Sequence, residues 1–573
     1  MFNLVWFKRD LRIDDHAALS AAISERPIVA GGRRSDLLRH VLGLMLIERK
    51  IWREETVAAQ HYHFFLESCE ALQESLRSLG IAHLMLDCED AVEALERIRV
   101  ALGPFALFSH METGDEPGYA RDRRVARWCR QHGIDWKEYR QFGVVRGLRE
   151  RKGWASQWEL LMQESCLHPP DAAFPSQRAS QPGDFSPWPG LAQVGGSVSS
   201  IGAAPPAPEL GLEAHDPPLR QRGGWMLAEA SFKNFLERRS YHYRGGISSP
   251  LHAEHACSRL SPYLAFGCLS IRRVVQATRE KMRECAELRS IGEETFLHDG
   301  AAARQYSGLR SFLERLRWHC HFIQKLETEP TIAWRNIHRG YDGLRESQFN
   351  ALHFDALRVG RSGWPLVDAS VRMLEATGWI NFRMRAMLVS VAAYPLWLHW
   401  REVGKWLASR FLDYEPGIHW SQMQMQSGTT GINAMRVYNP IKQARDQDPA
   451  GVFVRRWLEH MRDLPRAWLF EPWLAPIELR NRLAIPEPLV DLAHATRVAK
   501  ARIHALRSDP EVIQEARSVV RRHASTRPER RPLEPPDARR RALKSVVNAG
   551  LSTDTGSGTP PPDPTAFQLS LDL

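Results

Sequence analysis

The sequence predicts an α/β domain followed by an all-helical domain, and three observations carry that prediction. Within residues 1–165, strand-length apolar runs at Asn3–Phe7, Ala82–Asp87 and Ala106–His110 alternate with helical spacing at Phe64–Leu79 and Ala91–Leu102. Such alternation builds a parallel, Rossmann-like sheet with helices on its faces. Residues 166–224 are rich in Pro, Gly, Ser and Ala, bury little apolar surface and read as a mobile interdomain linker. Residues 225–520 then read as a helical domain, centred on the apolar, Trp-rich stretch Gly363–Gln443 and still periodic over Pro486–Val520.

Bulk properties bound the function. The 573 residues suit two or more domains, and no apolar run approaches the roughly 20 residues that span a bilayer. The opening MFNLVWFKRDLR reads as a strand and a basic loop, not as a secretory signal. Eight cysteines without C-x-x-C spacing fit a reducing cytoplasm and argue against structural zinc. Net charge is +10, which suits a polyanionic partner. Much of that excess is local, since residues 521–544 carry nine Lys/Arg against three Asp/Glu. The stretch 521–573 is expected to be a disordered basic tail.

The charges inside the apolar pattern point to a ligand. Arg372, Arg385, Arg401, Asp368, Asp413 and Glu415 sit at fixed places in a helical core. Buried charge persists only when paired or bound to something polar. These six therefore suggest a large polar ligand, with internal salt bridges as the alternative. Near the N-terminus, Arg9, Asp10 and Arg12 are an anion site or a salt-bridged loop, and the loop is favoured. His319, Cys320 and His321 are consecutive, so on a helix they point to different faces and no metal site is expected.

Several motifs resemble those of the DNA photolyase and cryptochrome family. They are WFKRDLRIDDHAAL (Trp6–Leu19), SYHYRGG (Ser240–Gly246), ACSRLSPYLAFG (Ala256–Gly267), GWPLVDASVR (Gly363–Arg372), TGWINFRMR (Thr377–Arg385), WLHWRE (Trp397–Glu402), DYEPGIHW (Asp413–Trp420) and RVYNPIKQ (Arg436–Gln443). They occur in the family's order from Met1 to about Trp473. The resemblance implies FAD in the helical domain and light-dependent repair of ultraviolet pyrimidine dimers, by a monomer acting on damaged DNA. A cryptochrome-like blue-light sensor is the alternative.

The same resemblance implies residue roles. Tyr243, Cys257, Ser258, Arg259, Leu260 and Ser261 are expected first contacts to the flavin, with Cys257 where the family usually has Thr. Hydroxyls and free N–H groups at a helix start suit a diphosphate. Arg385 and Asp413 are expected to flank the flavin ring as an ion pair, with Tyr414 and Glu415 near the ribityl and diphosphate groups. His419 is expected to face flavin N5, where a charge that switches near neutral pH would select the stable redox state. Trp318 and Trp379 look like walls for a flipped base, or are core residues. Arg383, Arg436 and Gln443 are expected DNA contacts.

Departures from the family pattern are as informative. Arg315, expected on the cofactor side, stands where photolyases carry Glu or Gln; Phe382 replaces a common Asn, and Asn381 is not the His of (6-4) photolyases. In the electron relay only Trp400 is in register. Met423 takes the place of the Trp nearest the flavin, nothing near Ser347 replaces the outermost, and Trp397, Trp406 and Trp420 are another path or core. The family often holds an antenna pigment of folate or deazaflavin type in the α/β domain, and two features of this chain do not support carrying it over. Ala30–Lys50 fits poorly as the family's second strand, and Gly118 stands where folate-binding relatives have Glu. No cysteine follows Cys320, so the C-terminal iron–sulfur site of one bacterial photolyase branch lacks ligands. Finally, Gln568, Leu569, Leu571 and Leu573 are similar to short peptides that dock on the bacterial DNA sliding clamp.

Overall fold

A computed structural model of the chain describes residues 1–25, 40–148, 151, 153–168, 188, 190–194, 203–291, 296–432 and 435–523. The sheet has five parallel strands, β1 (Phe2–Phe7), β2 (Val41–Glu48), β3 (Ala82–Cys88), β4 (Phe105–His110) and β5 (Trp136–Tyr139), in the order β3-β2-β1-β4-β5. The helices α1 (Ala17–Ser24), α2 (Ala59–Ser78), α3 (Ala91–Leu102) and α4 (Glu116–Gln131) cover it. Leu4 and Trp6 of β1 point into a core with α3 and α4, while Val5 and Phe7 point into another with α1 and α2. Burial on both faces explains why the central strands read as unbroken apolar runs.

The second strand corrects an expectation. β2 lies wholly inside Ala30–Lys50, the stretch that fitted poorly as a strand. Val41–Glu48 is buried throughout, and Gly43 lets α2 close down, since a Cβ there would meet Leu76 Cδ1 at 2.9 Å. The charged residues that precede it had masked a sound strand.

The helical region contains α5 (Phe296–Thr328), α6 (Pro365–Thr377), α7 (Phe382–Ala393), α8 (Trp400–Arg410), α9 (Pro416–Ser427), α10 (Leu492–Arg507) and α11 (Pro510–His523). Its first part shares a core with the sheet, because Phe235, Leu309, Phe312 and Leu316 join Val5 and Phe7 in one cluster. The remainder packs around α6, α7, α8 and α9. Several linker residues are anchored rather than loose. Trp188, Leu191 and Val194 are buried against the α3 face, Ala207 and Leu210 against the other, and Arg220 is paired with Glu67 and Asp216. A Pro- and Gly-rich segment thus needs only a few apolar side chains to be held down. The tail peptide Gln568, Leu569, Leu571 and Leu573 lies outside the described residues. Among the described residues, no helix is long and apolar enough to cross a membrane.

Candidate functional site

The site is built where α7 starts. Asn381 precedes that helix and pins the 247–248 loop, its Nδ2 donating to the carbonyls of Ile247 at 2.9 Å and Ser248 at 3.0 Å. One turn on, Arg385 donates two parallel hydrogen bonds to Asp413, at 2.9 and 3.0 Å, and a third from Nε to Ile380 O at 2.9 Å. This fork geometry is the strong form of an ion pair. Burial opposes ionisation of Asp413, but the Arg385 charge and hydrogen bonds outweigh it and hold the carboxyl below its usual range.

Other expected residues converge on this pair. Ser261 and the Arg259 charge both favour the ionised form of Asp413, and Arg315 on α5 lies beside the buried Tyr243. The Arg259 guanidinium lies 3.8 Å from the centroid of the Trp379 ring, a close cation–π stack, on a backbone with φ of +58°. Burial pushes Arg259 down to about 10 and the Cys257 thiol up to about 11. Leu260 is buried beneath, and Ser258 accepts at its carbonyl from Ser231 Oγ at 3.3 Å. Glu415, just ahead of α9, receives Arg9 Nη1 from the sheet domain at 3.0 Å, which ties the two regions together at the site.

His419 departs from expectation. Its Nε2 donates to Gly404 O at 2.9 Å, and burial holds its pKa at about 4. The ring is neutral throughout the physiological range, so it does not switch charge near neutral pH. Of the six core charges, Arg385, Asp413 and Glu415 belong to the site. Asp368 instead caps a loop, accepting from Ser362 N, Ser362 Oγ and Gly363 N at 2.8, 2.7 and 3.0 Å. Arg372 is exposed and Arg401 half-buried. A loop cap and a ligand contact look alike in sequence, since both place a carboxylate in an apolar run.

The aromatic residues divide. Trp379 is 6% exposed beneath Arg259, whereas Trp318 is half-buried and packs edge-on against His321, 4.8 Å between ring centroids. Arg383 lies 3.4 Å from Ser248 Oγ, Arg436 accepts at its carbonyl from Ser390, and Gln443 lies on the helix Pro440–Gln447. Trp400 and Trp420 meet edge to face at 5.9 Å, and Trp420 meets His419 at 4.9 Å. Their indole N–H groups donate to Asn336 Oδ1 at 2.7 Å and Tyr414 OH at 3.1 Å. Gly404 makes this fit, as a Cβ there would come within 2.6 Å of the Trp420 ring. Trp406 lies elsewhere, against Phe354, and Trp397 lies between Arg345 and Arg502.

A cavity of about 160 Å³ opens at the C-terminal ends of β1, β2 and β4, where the strand order reverses. Trp6, Leu46, Trp52 and Phe266 form apolar walls, with Glu112 and Arg121 on the polar side. Sequence reasoning missed it, although the reversal of strand order is where open parallel sheets hold ligands. Arg9, Asp10 and Arg12 follow the favoured loop reading. Asp10 accepts from His16 and His110, and Arg12 donates to the carbonyls of Asp14, Asp15 and Gly267.

Two family models match the chain, "DNA photolyase" over residues 3–145 and "FAD binding domain of DNA photolyase" over residues 312–505. Cryptochrome-2 of Arabidopsis thaliana is 28% identical over 527 residues, covering 86% of this chain and 76% of its own length. The deoxyribodipyrimidine photo-lyase of Escherichia coli is 25% identical over 504 residues, covering 85% of this chain and 95% of its own. The crystal structure of a class III photolyase from Agrobacterium tumefaciens shares the fold at a TM-score of 0.67 and 21% identity, over 89% of this chain and 98% of that one. The residues present fit FAD. Arg259 Nη1, Arg315 Nη1 and Glu415 Oε1 are buried atoms without a protein partner, and a ligand with a diphosphate and hydroxyls would supply partners to all three.

Proposed function

Because the chain belongs to the DNA photolyase and cryptochrome family, we propose that it repairs ultraviolet-induced pyrimidine dimers in DNA under blue light. The observation that carries this reading is Trp379, a buried aromatic face stacked under Arg259, six residues ahead of the Arg385 that pairs with Asp413. When bound in its reduced form, FAD supplies a light-driven electron to the dimer. The protein's own residues do the rest. Trp318 and Trp379 receive the flipped lesion, Arg383, Arg436 and Gln443 hold the strand, and Arg385 keeps positive charge beside the flavin ring. Neutral His419, with Nε2 committed to Gly404, offers only Nδ1, as an acceptor.

The test is chemically reduced holoprotein under blue light with oligonucleotides carrying one cyclobutane thymine dimer or one (6-4) product. Loss of one lesion is expected, reduced about tenfold or more in Trp379→Ala, given stacking worth roughly 1–3 kcal/mol per base. No loss of either lesion overturns the enzyme reading. A second reading, cryptochrome-like signalling, is favoured by Arg315, a cation where photolyases carry Glu or Gln, and by Phe382, which lacks the amide of the common Asn.

The reading extends to supply and partners. Trp420 and Trp400 pass electrons inward, their contact at 5.9 Å replacing the relay that Met423 interrupts. Trp420→Phe should slow photoreduction by thiols while leaving repair by chemically reduced protein unchanged. The cavity at the sheet is the place for an antenna pigment of folate or deazaflavin type, its apolar walls suiting a planar ring. The terminal peptide Gln568–Leu573 docks the monomer on the DNA sliding clamp. The eight unpaired cysteines suit the cytoplasm.

A further inference from the structure

One stripe of α5 carries Trp318, His321 and Lys325 and continues to Glu329 just past the helix end. Spacings of three and four residues put these side chains on one face. Two elements cover that face. At the end of α11, His523 Nε2 donates to Glu329 at 2.5 Å, and Arg522 Nη1 donates to the same oxygen at 3.0 Å. Arg151, ahead of the helix Trp154–Gln163, donates from Nη2 to His321 Nδ1 at 2.8 Å and from Nη1 to the His523 carbonyl at 3.4 Å.

Lys325 lies on the stripe between those two contacts. It is 4% exposed, yet it makes no hydrogen bond or ion pair with any described residue. Glu329 bonds Arg522 and His523 and reaches Lys325 only through its charge, so Arg151, Lys325 and Arg522 share a single carboxylate and a net positive charge remains. Burial and the Arg151 charge push the Lys325 ammonium down to about 7. A buried cation without a partner is destabilising, and methionine of similar length would do better in a purely structural role. Its presence calls for an anion that the protein does not itself provide.

We propose that Lys325, Arg151 and Arg522 form a phosphate-binding site at the C-terminal end of α5, closed on one side by α11. A guanidinium fork and an ammonium together match the oxygens of a phosphate group. Trp318 lies 4.8 Å from the His321 ring on the same stripe, which sets an aromatic face about one helical turn from the Arg151 contact and about two turns from Lys325. That spacing suits a nucleotide unit, so a nucleic-acid phosphodiester is the favoured source and free phosphate the other. The nucleic-acid source rests on the DNA substrate proposed above, whereas the phosphate chemistry needs no light reaction.

The test uses full-length, FAD-loaded protein in the dark. A labelled single-stranded oligothymidylate is titrated across a NaCl series, and thermal unfolding is followed with and without inorganic phosphate. Wild type is compared with Lys325→Met and, as a control, Lys281→Met, whose half-buried ammonium is paired with Glu284. Lys325→Met should weaken oligonucleotide binding about tenfold and reduce the salt slope of log K by about 0.7, the single-strand value for one phosphate contact. It should also raise the melting temperature without ligand, and Lys281→Met should do neither. Stabilisation by inorganic phosphate that Lys325→Met abolishes, with oligonucleotide binding unchanged, would make free phosphate the ligand. Unchanged binding, salt slope and phosphate response overturn the proposal, and so does a lowered melting temperature without ligand. A protein that repairs no lesion but shows the Lys325→Met effects loses the enzyme reading and keeps this site; the converse loses only this site.

Discussion

Two buried charge clusters in this chain resemble one another in composition and differ in closure. In the sheet domain, Arg121 spends all its nitrogens on carboxylates, at 3.0 Å to Glu48, 2.7 Å to Glu112 and 2.9 Å to Asp122. Lys8 adds a bond to Asp122 at 2.9 Å, while backbone N–H groups of Ala91, Thr113 and Gly114 complete Glu48 and Glu112. In the helical core, Arg385 and Asp413 pair just as well, but Arg259, Arg315 and Glu415 around them each leave a buried atom without a partner. A closed network stabilises one arrangement of the chain. An open one costs stability unless a ligand completes it.

The sharpest way to break the comparison is at the closed cluster. Arg121→Met leaves three buried carboxylates facing one another, and urea denaturation should show a loss of about 3–5 kcal/mol. A loss below about 1 kcal/mol would mean that closure does not distinguish the clusters. A smaller effect is expected at Asp368, which is closed by N–H and O–H donors without a bonded cation. Burial raises its pKa to about 6, above the unfolded value near 3.8. The stabilisation from this group is therefore complete below about pH 4 and is lost as pH rises through about 6, roughly 3 kcal/mol in all. Unfolding curves at pH 4 and pH 7 should show that slope in wild type and not in Asp368→Asn.

The smallest expected effect is at His419. Its folded pKa, about 4, lies below the ordinary 6.5, so its stability contribution is present above pH 6.5 and lost as pH falls through 4. Between pH 6.5 and 8 it does not titrate. Photoreduction should be flat with pH over that window in wild type, and a step near 6.5 that His419→Asn removes would contradict the neutral assignment.

Legibility followed the range of the signal. β1, β3 and β4 were visible because each apolar run matches a strand, and β2 was hidden because GGRRSD precedes its apolar run within one reading window. Arg385, Asp413 and Ser261 were picked out by motif, and in the structure Arg385 and Asp413 form a bidentate pair. Asp368 was not separable from them, because a loop cap and a cofactor contact share one sequence pattern. Lys325 gave no signal at all. Its burial depends on Arg151 and His523, which no local periodicity joins to α5.

The most direct measurement compares thermal unfolding of apo- and FAD-loaded protein for wild type and Arg259→Met. Arg259 is the open cluster's counterpart to Arg121, with one nitrogen buried and partnerless. The apo variant should unfold within about 1 kcal/mol of wild type, the cost of the lost stack on Trp379. FAD binding should weaken about 10- to 100-fold, matching a charge-assisted hydrogen bond of roughly 1.5–3 kcal/mol, so the FAD-induced rise in Tm shrinks by the equivalent of about 1.4–2.7 kcal/mol. Full retention of that rise, with an apo protein destabilised as strongly as Arg121→Met, would contradict the assignment of the open cluster to the cofactor.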